Sequence, residues 1–228
     1  MPGMTSPKTT ERIVHVIADS VELEGNLTIP ESATGIVLFV HGSGSSRHSP
    51  RNRHVAQVLR EAGLATLLID LLTAEEERED IETARVRFDI GLLAGRVRGA
   101  SDWLAASPLT GHMRLGYFGA STGAAAALVA AADRPHKVSA IVSRGGRPDL
   151  ANAALHRVKT PTLLLVGERD SPVIEMNRDA YGHLSAEKRL VIVPGATHLF
   201  EEPGALEEVA QLARDWFARY LNEPRSFD

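Results

Sequence analysis

The chain has 228 residues, 25 of them basic and 29 acidic, for a formal charge of −4 with histidines neutral. That length suits one sizeable core, and the acidic balance, with no run of five Lys/Arg, excludes a general polyanion binder. Cysteine is absent, which excludes disulfides, thiolate metal sites and cysteine nucleophiles.

In chain order, Met1–Thr10 is polar and lacks the apolar stretch of a secretory signal. It is expected to be a disordered lead-in (residues 1–10) to one domain over residues 11–223, with 224–228 as a tail. Ile13–Ala18 and Val21–Ile29 read as two strands joined at an Asp19-Ser20 hairpin turn. Gly35–Val40 is a short continuous apolar strand of the kind buried on both faces. Arg51–Ala62 reads as a helix closed by Gly63, and Leu64–Asp70 as a strand. The acidic run Glu75–Glu79 reads as a solvated loop or helix start, and Ala84–Ala106 as a helical region. Then come a strand at Leu115–Phe118, an alanine-rich helix at Ser121–Ala132, a strand at Val138–Val142 and a short helix at Pro148–His156. A strand at Thr162–Val166, a helix at Val173–Gly182 and a last strand at Lys188–Val193 lead to the amphipathic helix Ala205–Leu221.

Strands alternating with helices specify an α/β fold: a mostly parallel central sheet, helices on both faces and an antiparallel start. No apolar run approaches the roughly 18 residues needed to cross a bilayer. With no cysteine and no export signal, a cytoplasmic location is expected, with no membrane partner. The low aromatic content, 5%, disfavours a stacking platform for nucleic acid.

Ligand chemistry in such a sheet belongs at the carboxyl ends of the strands. After Leu115–Phe118 comes Gly119-Ala120-Ser121-Thr122-Gly123, a G-x-S-x-G pattern in strand–turn–helix context that would hold Ser121 proud of the sheet as a nucleophile. Its hydroxyl needs a base, and the base an orienting acid. His198 follows the last strand and Asp170 follows Thr162–Val166, so the order is Ser121, Asp170, His198. Glu168 and Asp149 stand as alternative acids. Directly after Gly35–Val40, His41-Gly42-Ser43-Gly44-Ser45-Ser46 can present backbone amides to an oxyanion. The expected donors are the amides of Ser43 and Thr122, with His41 supporting the loop. Gly42, Gly44 and Arg144 are candidate substrate contacts. Arg47, Arg51 and Arg53 could face a substrate carboxylate, but a solvated helix face is the better reading. The remaining histidines lack ligand spacing, so no metal is expected, and no phosphate-binding or dinucleotide fingerprint calls for a cofactor.

These motifs resemble the α/β-hydrolase superfamily over nearly the whole chain. The H-G-S-G-S-S loop, Leu68–Glu77, G-A-S-T-G, G-E-R-D and G-A-T-H are most similar to small dienelactone-hydrolase-like proteins. The resemblance implies an α/β-hydrolase fold and a serine hydrolase of small carboxylic esters or lactones. Dienelactone hydrolases are known for a cysteine nucleophile; here Ser121 occupies that position, which favours general esterase chemistry. The family inserts its lid after the strand matching Val138–Val142, where only Ser143–Pro148 is available, so no large lid domain is expected. An acyltransferase or perhydrolase using the same triad, or a catalytically silent binding module, are the alternatives.

Overall fold

The computed structural model describes residues 9–42 and 44–222. Eight strands form one sheet in the order β1-β2-β4-β3-β5-β6-β7-β8. They are β1 (Thr9–Ala18), β2 (Val21–Pro30), β3 (Gly35–Val40), β4 (Ala65–Ile69), β5 (Arg114–Ala120), β6 (Ala140–Arg144), β7 (Thr162–Gly167) and β8 (Lys188–Val193). The pairs β1–β2 and β2–β4 are antiparallel and the rest are parallel. The expected architecture is the observed one.

The six α-helices are α1 (Pro50–Glu61), α2 (Ala74–Thr83), α3 (Ile90–Ala106), α4 (Thr122–Ala132), α5 (Ser171–His183) and α6 (Ala205–Leu221). One face of the sheet packs on α3, α4 and α5, the other on α1 and α6. The central strands β3, β4 and β7 are buried throughout, as continuous apolar runs require. The alanines of α4 are all buried; their small side chains let the helix lie close on β5. The chain leaves β3 toward β4 and later returns to β5 on its other side. That reversal opens a crevice at the carboxyl ends of β3 and β5.

Two local expectations need correction and two are sharpened. Thr9 and Thr10, placed in the lead-in, already pair with Pro30 and Ile29 in the β1–β2 ladder. The acidic run is a helix start, the second of its two readings: it opens α2 behind a reciprocal capping box between Thr73 and Glu76. The region Ala84–Ala106 is broken: Ala84 closes α2 in a left-handed conformation, a 3-10 turn spans Val86–Phe88, and Asp89 caps α3 through Leu92 N at 2.9 Å. The expected short helix at Pro148–His156 is present as a 3-10 helix over Pro148–Arg157, interrupted at Asn152. No large lid is inserted after β6. Among the described residues, no helix is long and apolar enough to cross a membrane.

Candidate active site

Ser121 stands between β5 and α4 with φ 50° and ψ −125°. For a residue with a Cβ this is strained backbone, costing on the order of 1–3 kcal/mol. The turn is held from both sides. Its N–H donates to the Arg144 carbonyl (3.4 Å), and its own carbonyl accepts from Arg147 N (3.0 Å) and Ala124 N (3.1 Å). Two glycines permit the close packing around it. A Cβ at Gly123 would lie 2.2 Å from the Val40 carbonyl oxygen, and one at Gly42 would lie 2.7 Å from Ser121 Cβ. The loop after β3 therefore presses directly on the turn that carries Ser121.

Asp170 and His198 come from the loops after β7 and β8, which are laced together. Glu168 N donates to Val193 O (3.0 Å) and Arg169 N to Ala196 O (2.9 Å). The Glu168 carboxylate accepts from Gly195 N at 2.7 Å. Asp170 occupies the cap position of α5, yet its side chain makes no cap bond. Its Oδ2 instead accepts from His198 Nδ1 at 2.6 Å. That contact places the ring proton on Nδ1 and leaves Nε2 with a free lone pair. The Asp170 side chain is 14% exposed and that of His198 41%, so the acid is shielded and the ring reaches solvent. The structure thus brings Asp170, not the alternatives, to His198: Glu168 holds the turn before it, and Asp149 makes a two-pronged pair with Arg147 (2.9 and 2.8 Å). Ser121 and His198 flank one segment. Arg144 backs Ser121, and a Cβ on the next residue, Gly145, would lie 3.5 Å from His198 Cε1. Among the described residues the Ser121 hydroxyl makes no hydrogen bond to His198; such contacts commonly tighten only when substrate binds.

His41 locks the loop after β3. Its Nδ1–H donates to the Gly42 carbonyl (2.9 Å), and its Nε2 accepts from Leu71 N (3.0 Å). Burial pushes its pKa below the ordinary imidazole value, because the charged form would lose water and the Leu71 bond. Arg47, further along the loop, pairs with Asp70 and Glu24, and its backbone N donates to Asp70 Oδ1 at 2.7 Å. Of the expected oxyanion donors, Thr122 is the first residue of α4 and is 2% exposed. Ser43 lies outside the described residues.

A cleft of about 530 Å³ opens beside Thr122. Gly42 and Gly44 border it on one side, and Leu72, Ile81 and Leu93 supply an apolar wall on the other. Of these, Ile81 escaped the sequence reading because the extent of its helix went unassigned. The Thr73-x-x-Glu76 capping box was the available signal. Arg144 does not line this cleft. It is 8% exposed, its Nη1 has no hydrogen-bond partner, and it lies 5.9 Å from the Phe118 ring centre. Burial, and then the charge of Arg51, lower its pKa to about 10.

The dienelactone hydrolase family model matches residues 23–222. A dienelactone hydrolase crystal structure from Anabaena variabilis is 66% identical, covering 93% of this chain and 99% of that one, with a TM-score of 0.91. Est1E from Butyrivibrio proteoclasticus shares the fold at 15% identity and a TM-score of 0.76, over 91% of this chain and 98% of that one. Two Mycobacterium tuberculosis proteins, each named "putative phosphoribosyl transferase", are 56% identical over 218 residues, which is 96% of this chain. The chain spans about half the length of these curated relatives, 48%.

Proposed function

The chain belongs to the dienelactone hydrolase family, and we propose that it is a serine hydrolase of small carboxylic esters or lactones. The observation that carries this reading is the 2.6 Å contact of His198 Nδ1 with Asp170, formed at adjacent strand ends beside a serine held in a strained turn.

In the proposed reaction Ser121 attacks the ester carbonyl while His198 Nε2 takes its proton. Asp170 fixes the ring tautomer and stabilises the imidazolium. The amides of Thr122 and Ser43 receive the oxyanion. His198 returns the proton to the leaving alcohol, then activates the water that hydrolyses the acyl-enzyme. Gly42 and Gly44 border the bound ester. Arg144 supplies positive potential from behind the nucleophile, where a buried cation without a counter-ion favours developing negative charge. No step requires a cofactor, a nucleic acid or a membrane, and a cytoplasmic setting suits the cysteine-free chain.

The transferase name of the mycobacterial relatives belongs to proteins of which this chain matches 48%, and a Ser–His–Asp set is equipment for acyl transfer rather than phosphoribosyl transfer. With no lid after β6, the site suits short esters. Turnover of p-nitrophenyl acetate should exceed that of the palmitate, and a strong preference for the palmitate would reject the open-site reading. The central test is labelling by a fluorophosphonate probe together with ester turnover. Wild type should label and turn over, and Ser121→Ala should do neither. Full turnover by clean Ser121→Ala would end the proposal.

A further inference from the structure

A second polar cavity lies away from the triad, between α1 and the β1–β2 hairpin. On β2, Leu23, Gly25 and Leu27 face the α3–α4 side and are buried. Strand alternation therefore turns Asn26 and Thr28 to the α1 side, beside their ladder partners Leu68 and Thr66 of β4. Helix α1 presents Arg53, Gln57 and Arg60 toward this floor, at spacings of four and three that put them on one helix stripe. Arg47 and His48 close one end. Two adjoining depressions of about 660 and 680 Å³ result, sharing His48, Arg53 and Arg60.

Three arginines line this cavity against one lining carboxylate, Glu11, in a chain whose net charge is −4. Arg47 is committed to Glu24 and Asp70, but its Nε is buried with no partner. Arg60 Nη1 reaches the Thr66 hydroxyl at 3.3 Å. Arg53 is exposed, and its guanidinium has neither a carboxylate nor a hydrogen-bond partner among the described residues. On the floor, Asn26 Oδ1 is buried without a partner. Burial lowers the pKa of Arg60, and the attraction of Glu11 opposes this more than the repulsion of Arg53 adds to it. Polar atoms buried unpaired, here Asn26 Oδ1 and Arg47 Nε, are unfavourable until something fills the space.

We propose that this cavity is a binding site for the phosphate group of a small phosphorylated molecule, separate from the hydrolytic site. The planar guanidinium forks of Arg53 and Arg60 on α1, with the unused Nε–H of Arg47 on the loop, suit phosphate oxygens, which accept from several directions at once. The unused acceptor on Asn26 suits a hydroxyl carried on the same molecule. Apolar lining is confined to Leu68 and Pro50, which is poor for an acyl chain.

The test is calorimetric titration of the full chain with inorganic pyrophosphate, with acetate as competitor and melting curves to verify folding. Wild type should show one saturable site that weakens with added salt and that acetate does not displace. Arg53→Ala/Arg60→Ala should lose about ten-fold or more in affinity, as expected on removing charge-assisted bonds. Arg53→Lys/Arg60→Lys should fall between the two, and the milder Arg53→Gln keeps the test open if the double alanine variant melts early. Ser121→Ala should bind like wild type whether or not the esterase reading holds. Absence of saturable binding would overturn the proposal. So would unchanged affinity in both Arg53→Gln and the double variants, displacement by acetate, or loss of binding in Ser121→Ala.

Discussion

His41 and His198 each follow an apolar parallel strand, yet their rings are used in opposite ways. His41 spends both nitrogens on the fold, one on the Gly42 carbonyl and one on Leu71 N–H. His198 spends only Nδ1, on Asp170, and its half-exposed ring keeps Nε2 for an incoming proton. A ring already engaged at both nitrogens cannot move a proton without breaking a bond that holds its loop. The difference teaches that the hydrogen-bond account of a histidine, rather than its place after a strand, assigns its role.

The strongest way to break this contrast is to delete both rings. His198→Ala and Ser121→Ala should each lower kcat for a short p-nitrophenyl ester by about 10⁴–10⁶ with little change in melting temperature. If His41→Asn lost as much activity while staying equally stable, the contrast would fail. Next in size, Asp170→Asn should cost about 10⁴ in kcat by leaving the wrong tautomer, whereas Asp149→Asn and Glu168→Gln should stay within a few-fold of wild type.

His41→Asn belongs to the stability side, with an expected loss of about 1–3 kcal/mol in chemical denaturation. It also carries a pH signature. The folded pKa of His41 is lowered from the ordinary 6.5, so the unfolded chain takes up this proton first as pH falls. The His41 contribution is intact above about pH 6.5 and is lost progressively below it. The acid-side fall in stability should be steeper in wild type than in His41→Asn, and equal slopes would refute the assignment. Smallest of all, Arg144→Met removes a buried cation without a counter-ion. It should raise the melting temperature by a few degrees and lower kcat by about ten-fold or less. A lower melting temperature would mean that the guanidinium has a stabilising partner.

The sheet was legible, and with it the loops that carry Ser121, Asp170 and His198, because each loop follows a run of strand-forming apolar residues, a pattern local enough to read from the chain. Of helix α2 only the start was legible, because half of its residues are glutamate and its only buried residue is Asp80, so no apolar period marks its length. Its cap was the readable part. Arg144 was placed at the right strand end but on the wrong side of the problem. Alternation along β6 puts it with Val142 on the α1–α6 face, and nothing in Ala140–Arg144 says which face is occupied until the helices are in place. The groove beneath α1 needs the packing of a helix against a hairpin far from it in sequence, so its residues looked like a solvated helix face.

The backbone of Ser121 sets the chemistry against heat resistance at one position. With φ at 50° and ψ at −125°, this residue would be more comfortable as glycine, which reaches such angles without steric penalty. Ser121→Gly should therefore outlast Ser121→Ala on heating, even though both are dead. A laboratory selection for thermal endurance alone would favour glycine at the proposed nucleophile, so any campaign to toughen this protein has to screen for turnover at every round.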